Sequence, residues 1–249
     1  VIVSDKDERR LSKIRDEFHV EVADNTTAVK GVDWVLIAVP ISSFEGVIKE
    51  IHPHVQRDQV VMDICSVKEL PVKTMHKYIR VGTTLGTHPM FGPGAKSVEN
   101  QNFILTPTNA KEREFAKSFK GWLEDRRATV LVMSPRRHDR LMSTVLGLPH
   151  FVGVVLCDTL LGFTNLAETK KAAGTTYKIL LALAESIASE EPDFYADLQV
   201  RLPQVEEIEG AFYEKAGEWL DIVRRKDKSA FAEKMRVVKT RMARAVQTT

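Results

Sequence analysis

The stretch Trp34-Val-Leu-Ile-Ala-Val-Pro40 is the segment that decides the fold. Six apolar residues in a row predict a central strand buried on both faces of a sheet, and a proline ends it. Short apolar runs alternate with amphipathic ones on either side, which is typical of βαβ units and a mostly parallel sheet. The other predicted strands cover residues 1–4, 20–23, 60–65, 84–87, 103–106 and 129–133.

The pattern changes at Ser134-Pro135, where a serine cap followed by a proline predicts the start of a helix. No strand is predicted beyond it. We therefore expect an α/β Rossmann-like domain over residues 1–133 and an all-α domain over residues 134–249, with residues 137–170 forming a buried hairpin or a long central helix. Apolar residues recur at helical spacing in two stripes, Leu198, Val205, Phe212 and Trp219, and Phe231, Met235, Val238 and Met242. The stripes favour a homodimer formed through the helical domain.

Composition indicates an ordinary globular protein. Hydrophobic residues make up 43% of the 249 residues, charged residues 28%, and the net charge is +2. Neither half of the chain has the basic excess of a nucleic-acid binder. Residues 141–157 carry no charge but include polar residues, a glycine and a proline, which favours a buried helix over a membrane span. No signal peptide is visible, so the sequence predicts a cytoplasmic protein without membrane or nucleic-acid partners.

The motif Thr87-His-Pro-Met-Phe-Gly-Pro93 places one imidazole at the end of a predicted strand. Two prolines and a glycine predict a stiff turn there, and histidine exchanges a proton near neutral pH. His88 is therefore a candidate acid–base residue, against the alternative of an incidental histidine in a turn. The histidines elsewhere in the first half show no spacing typical of a metal site, and no metal is expected; these are His19, His52, His54 and His76.

An acidic residue stands where a dinucleotide-binding fold needs one. Such folds carry a glycine-rich turn after the first strand and an acid, at the end of the second strand, that binds the ribose hydroxyls. Asp5 has that place if residues 1–4 are the second strand, so the first strand and the glycine-rich loop are expected upstream of Val1. Nearby Lys6, Arg9 and Arg10 leave NADP open, but Asp5 favours NAD.

Several segments together resemble one enzyme family. Asp33-Trp-Val-Leu-Ile-Ala-Val-Pro40 resembles the fourth strand of the 6-phosphogluconate-dehydrogenase-like nicotinamide enzymes. Asp63-Ile-Cys-Ser-Val-Lys68 followed by the His88 motif and Leu105-Thr-Pro107 resembles prephenate dehydrogenase. The resemblance continues into the second half of the chain at His138-Asp139, Leu148-Pro-His150 and Glu191-Pro-Asp-Phe-Tyr-Ala-Asp-Leu198.

The resemblance implies NAD(P)-dependent oxidative decarboxylation of prephenate to 4-hydroxyphenylpyruvate, a step toward tyrosine. His88 would accept the proton of the ring hydroxyl, and Ser66 would hydrogen-bond that hydroxyl and contact the cofactor. Val39 and Pro40 would also line the cofactor site. His150 would line the substrate pocket, although a histidine on an apolar helix is more often a core residue. His138 belongs to the shared pattern but is expected on the surface of the first helical turn.

One position departs from the family pattern. The family commonly has an arginine that binds a substrate carboxylate where this chain has Ser186. A serine cannot provide a charged, bidentate contact, and Lys178, two helical turns earlier, is the expected substitute. The departure leaves prephenate, arogenate and another hydroxy acid open as substrates. A non-catalytic dimerisation or ligand-sensing module is the alternative of a different class.

Overall fold

A computed structural model describes residues 1–92, 94–163 and 165–247. Its strands are β1 (Ile2–Val3), β2 (Glu21–Val22), β3 (Trp34–Ile37), β4 (Val60–Asp63), β5 (Thr83–Pro89), β6 (Asn102–Thr106) and β7 (Thr129–Val132). The helices of the first half are α1 (Glu8–Phe18), α2 (Asn25–Ala28), α3 (Ile41–Ile51), α4 (Glu69–Tyr78) and α5 (Ala110–Glu124). The helices of the second half are α6 (Pro135–Met142), α7 (Leu148–Phe163), α8 (Leu166–Lys171), α9 (Thr175–Ala188), α10 (Pro192–Arg201), α11 (Val205–Arg224) and α12 (Lys228–Gln247).

Five strands form one sheet in the order β3-β4-β5-β6-β7, and only the β5–β6 pair is antiparallel. The short strands β1 and β2 form a separate parallel pair. Strands β3, β4 and β5 run in the same direction, so their carboxyl ends meet at one edge of the sheet. This parallel-dominated sheet, followed by helices, confirms the predicted fold class, and that edge is where α/β sheets bind ligands.

The two faces of the sheet are covered unequally. Helices α3 and α4 bury Val35 and Ile37 of β3 on one face, whereas α5 covers β4 to β7 on the other. On the α5 face, Trp34 and Leu36 are 46% and 55% exposed. The expectation that β3 is buried on both faces is therefore wrong, because no described helix lies over Leu36 and no described strand pairs with the outer edge of β3.

The second half begins as predicted. Ser134 caps α6 by accepting a hydrogen bond from the Arg137 amide, and Pro135 is the first helical residue. A π-helical turn over Ser143–Gly147 connects α6 to α7 just before Pro149, a residue that cannot donate a backbone hydrogen bond.

The expected burial of this apolar segment is wrong for the single chain. In α7 only Gly153 is buried, and apolar residues such as Leu161 and Phe163 are exposed, because the packing of α9 covers just one side of the helix. The span Pro135–Phe163 is long and apolar enough to cross a membrane by length and composition, since an 18-residue window within it has a mean hydropathy of 1.7.

The chain forms two compact units, Val1–Pro203 and a second that begins at Gln204. In the second unit α11 and α12 pack together, with the Trp219 and Phe231 rings 4.8 Å apart. The stripe residues Phe231, Met235, Val238 and Met242 stay 40–60% exposed.

The predicted domain boundary at 133/134 remains a prediction. Pro93, the last residue of the His88 motif, lies outside the described residues.

Candidate active site

Ser66 and His88 lie at the shared carboxyl edge of the sheet. Ser66 is half-buried in the loop after β4, and His88 is next to the last residue of β5, paired with Ile104 of β6. Because β4 and β5 are parallel neighbours, the topology brings the two predicted catalytic residues to the same edge. Within the described part of the chain the Ser66 hydroxyl makes no hydrogen bond, which leaves it available to a ligand.

His88 is the first member of a buried chain of hydrogen bonds. Its Nδ1 lies 2.8 Å from Nε2 of His138, and His138 Nδ1 lies 2.7 Å from Oδ1 of Asp139. His88 is 5% exposed, His138 is fully buried and Asp139 is 4% exposed. The arrangement has the order of a catalytic base, an orienting imidazole and a carboxylate, with one histidine more than a serine-protease triad.

The Asp139 carboxylate also holds the loop that carries Ser66. The Lys68 and Glu69 amides donate to its two oxygens at 2.7 Å and 2.9 Å. These amides lie at the N-terminus of α4, whose own cap residue supplies no side-chain hydrogen bond. A carboxylate from α6 thus satisfies the free amides of a helix about seventy residues earlier in the chain, where the helix dipole favours negative charge.

These contacts define the tautomer of each imidazole. A carboxylate only accepts hydrogen bonds, so Nδ1 of His138 carries a proton and donates to Asp139. In neutral His138, Nε2 is then a bare acceptor, and Nδ1 of His88 donates to it. This assignment follows from the hydrogen-bond partners. It leaves the lone pair of His88 on Nε2, an atom that has no partner in the described residues and is not sealed from solvent.

Burial keeps both imidazoles neutral. Removal from water lowers the pKa of His88 well below its usual range, and the nearby His138 and Lys68 lower it further. Burial also lowers the pKa of His138, against the opposing effect of the Asp139 carboxylate. A neutral His88 at neutral pH is the form that accepts a proton.

The predicted cofactor residues lie at strand ends. Asp5 follows β1, and its Oδ1 accepts a hydrogen bond from the Asp7 amide at 2.9 Å. The second carboxylate oxygen has no partner among the described residues, which suits a hydrogen bond from a ribose hydroxyl. Val39 packs against the core at the end of β3, and the exposed Pro40 precedes α3. Their cofactor contacts remain predictions.

None of the predicted substrate residues has a described hydrogen bond, ion pair or ring contact with the His88 chain. His150 of α7 is half-buried, packs edge-on against Tyr195 with the rings 4.6 Å apart, and has a buried Nδ1 without a hydrogen-bond partner in the described residues. Burial lowers its pKa. Lys178 and Ser186 are exposed on α9, and neither has a described hydrogen bond or ion pair from its side chain.

Three residues of this site are misjudged or missed from the sequence. Asp139 is quoted with His138 in the resemblance, but the sequence analysis gives it no role. His138 was expected on the surface, but it is fully buried against His88. Its neighbours in α6 are arginines, so the local pattern indicates a solvated helix turn, and only the packing of α6 against α4 turns this position inward. Lys68 is also fully buried, and its place in the Ser66-Val-Lys68 motif was the available signal.

A mostly parallel, Rossmann-like sheet followed by helices, with two buried imidazoles and a carboxylate at the carboxyl edge, is the architecture of nucleotide-binding proteins of the dehydrogenase class. Residues 1–132 match the prephenate dehydrogenase nucleotide-binding domain, and residues 134–237 match the prephenate dehydrogenase dimerization domain. The chain belongs to the prephenate dehydrogenase family, which confirms the resemblance found in the sequence.

Curated relatives agree with this assignment. The chain is 37% identical over 240 residues to a probable arogenate/prephenate dehydrogenase of Methanocaldococcus jannaschii, covering 95% of this chain and 54% of that protein. It is 27% identical over 184 residues to prephenate dehydrogenase of Bacillus subtilis, covering 69% of this chain and 48% of that protein. The chain thus spans about half the length of these relatives.

Solved structures share the fold. Prephenate dehydrogenase from Aquifex aeolicus, in complex with hydroxyphenyl propionate and NAD+, aligns with a TM-score of 0.78 at 23% identity, covering 98% of this chain and 88% of that one. Arogenate dehydrogenase from Synechocystis aligns with a TM-score of 0.72 at 15% identity, covering 98% and 90% of the two chains.

The lowered pKa values predict a loss of stability in acid. Below about pH 6.5 the unfolded histidines bind protons that the folded, neutral His88 and His138 do not, so the free energy of unfolding falls with decreasing pH. Each buried histidine contributes up to about 1.4 kcal/mol per pH unit. We expect His88→Asn to reduce this slope in urea unfolding between pH 7 and pH 5. The matched control His19→Asn, at an exposed residue with positive φ, should keep it. Equal slopes for wild type and His88→Asn would contradict the assignment.

Proposed function

We propose that this protein catalyses the NAD-dependent oxidative decarboxylation of prephenate to 4-hydroxyphenylpyruvate. The observation that carries the proposal is the His88–His138–Asp139 chain, which presents an unprotonated Nε2 at the carboxyl edge of the sheet, next in the topology to the free hydroxyl of Ser66. Membership of the prephenate dehydrogenase family supports this reaction.

The proposed role of His88 is that of general base. Its Nε2 accepts the proton of the ring hydroxyl while Nδ1 continues to donate to His138. The positive charge that develops on His88 is stabilised through His138 by the Asp139 carboxylate. Ser66 hydrogen-bonds the same hydroxyl and keeps it within reach of Nε2.

The rest of the reaction needs little acid–base chemistry from the protein. NAD, when bound, accepts the hydride that leaves the hydroxyl-bearing carbon. The ring carboxylate departs as carbon dioxide, and its bonding electrons complete the aromatic ring. The contribution of this chain is to bind and orient the substrate and to remove one proton.

The strand ends suit a dinucleotide. Asp5 holds one carboxylate oxygen on the Asp7 amide and leaves the other available to ribose hydroxyls, which favours NAD over NADP. Val39 and Pro40 would contribute an apolar wall at the end of β3, and Ser66 lies in the loop after the neighbouring strand β4. The match of residues 1–132 to a nucleotide-binding domain and the NAD+ bound in the Aquifex aeolicus structure support this assignment.

Arogenate is the alternative substrate. The Methanocaldococcus jannaschii relative is named for both substrates, and arogenate dehydrogenase from Synechocystis shares the fold. The two compounds differ away from the reacting carbon, so His88 and Ser66 serve either. Discrimination belongs to the residues that bind the side chain, for which His150, Lys178 and Ser186 are the candidates.

We also assign the functional form as a homodimer in the cytoplasm. Residues 134–237 match a dimerization domain, and helix α7 and the Phe231 stripe expose apolar side chains that a second copy would cover. Burial of these faces in a dimer also accounts for the hydropathy of the Pro135–Phe163 span without a membrane.

The variant His88→Asn tests the proposed base. An asparagine keeps a polar side chain but cannot accept the hydroxyl proton, so kcat for prephenate should fall by about two to four orders of magnitude while KM changes little. Steady-state kinetics with NAD measure both constants, and His19→Asn serves as the control. A kcat within a few-fold of wild type in His88→Asn would defeat the mechanism.

The variant Lys178→Met tests the substitute for the missing arginine. If the ammonium binds a substrate carboxylate, its loss should raise KM about tenfold or more and leave kcat nearly unchanged. Lys171→Met, at another exposed lysine, is the matched control. Assays with prephenate and arogenate, each with NAD and NADP, give the substrate and cofactor preference of wild type in the same experiment. An unchanged KM would remove Lys178 from the site.

A further inference from the structure

A buried ion pair lies beside the strand that carries His88. Lys68 and Asp63 are both fully buried, and the Lys68 ammonium pairs with Oδ1 of Asp63. Neither side chain reaches the open Nε2 of His88, and the base mechanism described above uses neither. Lys68 is nevertheless part of the Ser66-Val-Lys68 segment that leads from β4 into α4.

Three contacts connect Lys68 to the acid–base chain. Its ammonium donates to the carbonyl oxygen of Thr87, the residue that precedes His88. Its backbone amide donates to Oδ1 of Asp139, the same oxygen that His138 contacts. Thr87 in turn donates from its hydroxyl to the Asp63 carbonyl oxygen at 2.5 Å. Lys68 therefore touches the peptide before the base and the carboxylate at the far end of the chain.

Stability alone does not account for this pair. Two charges removed from water lose more solvation than their attraction commonly returns, and apolar replacements of buried pairs are often neutral or stabilising. Oδ2 of Asp63 is buried without a hydrogen-bond partner in the described residues, so the pair is incompletely satisfied. Burial accordingly raises the pKa of Asp63 despite the nearby ammonium. A costly, imperfect pair next to an acid–base group points to a role in the chemistry.

We propose that Lys68 is a positioning residue for the general base: its buried ammonium fixes the Thr87–His88 peptide and disfavours a second positive charge on His88. The proposal rests on the proposed function. In the proposed reaction, Lys68 keeps His88 unprotonated before the substrate binds. His88 can therefore accept a proton at a lower pH than an isolated imidazole could.

The groups that face His88 support this reading. His138 of α6 contacts His88 directly, and Asp139 follows it in the hydrogen-bond chain. Lys68, after β4, bonds the Thr87 carbonyl oxygen beside His88, and Asp63 and Cys65 are its titratable neighbours. Lys68 supplies a positive charge near His88, and it lowers the pKa of both His88 and His138. Burial raises the pKa of the Cys65 thiol, which keeps that thiol neutral.

The test is the pH profile of kcat/KM for Lys68→Met, a change that removes the charge and retains an unbranched side chain. Without the ammonium, His88 binds a proton more readily, so the acidic limb should move to higher pH by roughly half a unit or more. At the pH values where kcat/KM no longer changes with pH, KM of the variant should remain close to that of wild type. Lys73→Met, at an exposed lysine of α4, is the matched control and should leave the limb in place.

A second variant removes both charges. Asp63→Asn combined with Lys68→Met leaves no unpaired buried ion and should move the limb upward by less than Lys68→Met alone, because the carboxylate has the opposite effect on the imidazoles. Lys68→Arg retains the charge and should keep the limb at the wild-type pH even if kcat falls. The proposal would be overturned if the acidic limb of kcat/KM stayed at the wild-type pH in both Lys68→Met and the double variant, whatever the change in kcat. Failure of both to fold would make the pair a folding requirement and overturn it as well.

A non-kinetic readout separates this proposal from the proposed function. The imidazole protons of His88 can be followed by NMR titration in wild type and in Lys68→Met. A higher titration pH in the variant supports the role of Lys68 even if wild type turns over neither prephenate nor arogenate, which would refute the function alone. Identical titration of His88 in both proteins refutes the role of Lys68 whatever the activity.

Discussion

The site depends on one carboxylate. Asp139 accepts hydrogen bonds from His138 Nδ1 and from the Lys68 and Glu69 amides. The first contact fixes which nitrogen of each imidazole carries a proton, and the other two attach the Ser66 loop and the start of α4 to α6. Because a carboxylate is only an acceptor, these three donors cannot be reversed. The direction of the hydrogen-bond chain, and with it the open lone pair of His88, follows from that single constraint.

The chemistry is divided between elements that are far apart in the sequence. Parallel strands bring His88 and Ser66 to one edge of the sheet, and α6 supplies the imidazole and carboxylate that orient the base. The buried Lys68 lies between these parts and contacts both. If His88 is the base, as proposed, its orientation is set before substrate binds by hydrogen bonds to buried side chains, and such preorganisation reduces the cost of reaching the transition state.

Much of this could be predicted from local sequence. The apolar runs gave the strands to within a few residues, and the Ser134-Pro135 cap gave the start of α6. The stiff, exposed turn predicted at His88 is wrong, because β5 continues through His88 to Pro89 and pairs with β6, which leaves His88 only 5% exposed. Burial could not be predicted in the same way. The polar first turn of α6 indicates solvent exposure, yet tertiary packing encloses His138 completely. For the apolar α7 and for the face of β3 that carries Leu36, the sequence predicts burial and the structure shows exposure. Local hydrophobicity does not say which neighbour covers a surface.

The most direct test of the account is the protonation of the His88 ring, measured by NMR of ¹⁵N-histidine-labelled protein near pH 7, with signals assigned by their loss in His88→Asn. The account predicts a protonated, hydrogen-bonded Nδ1 and an unprotonated Nε2 for His88, together with a protonated Nδ1 for His138. A proton on Nε2 of His88 in the resting protein would contradict it, because the base would then have no free lone pair to offer the substrate.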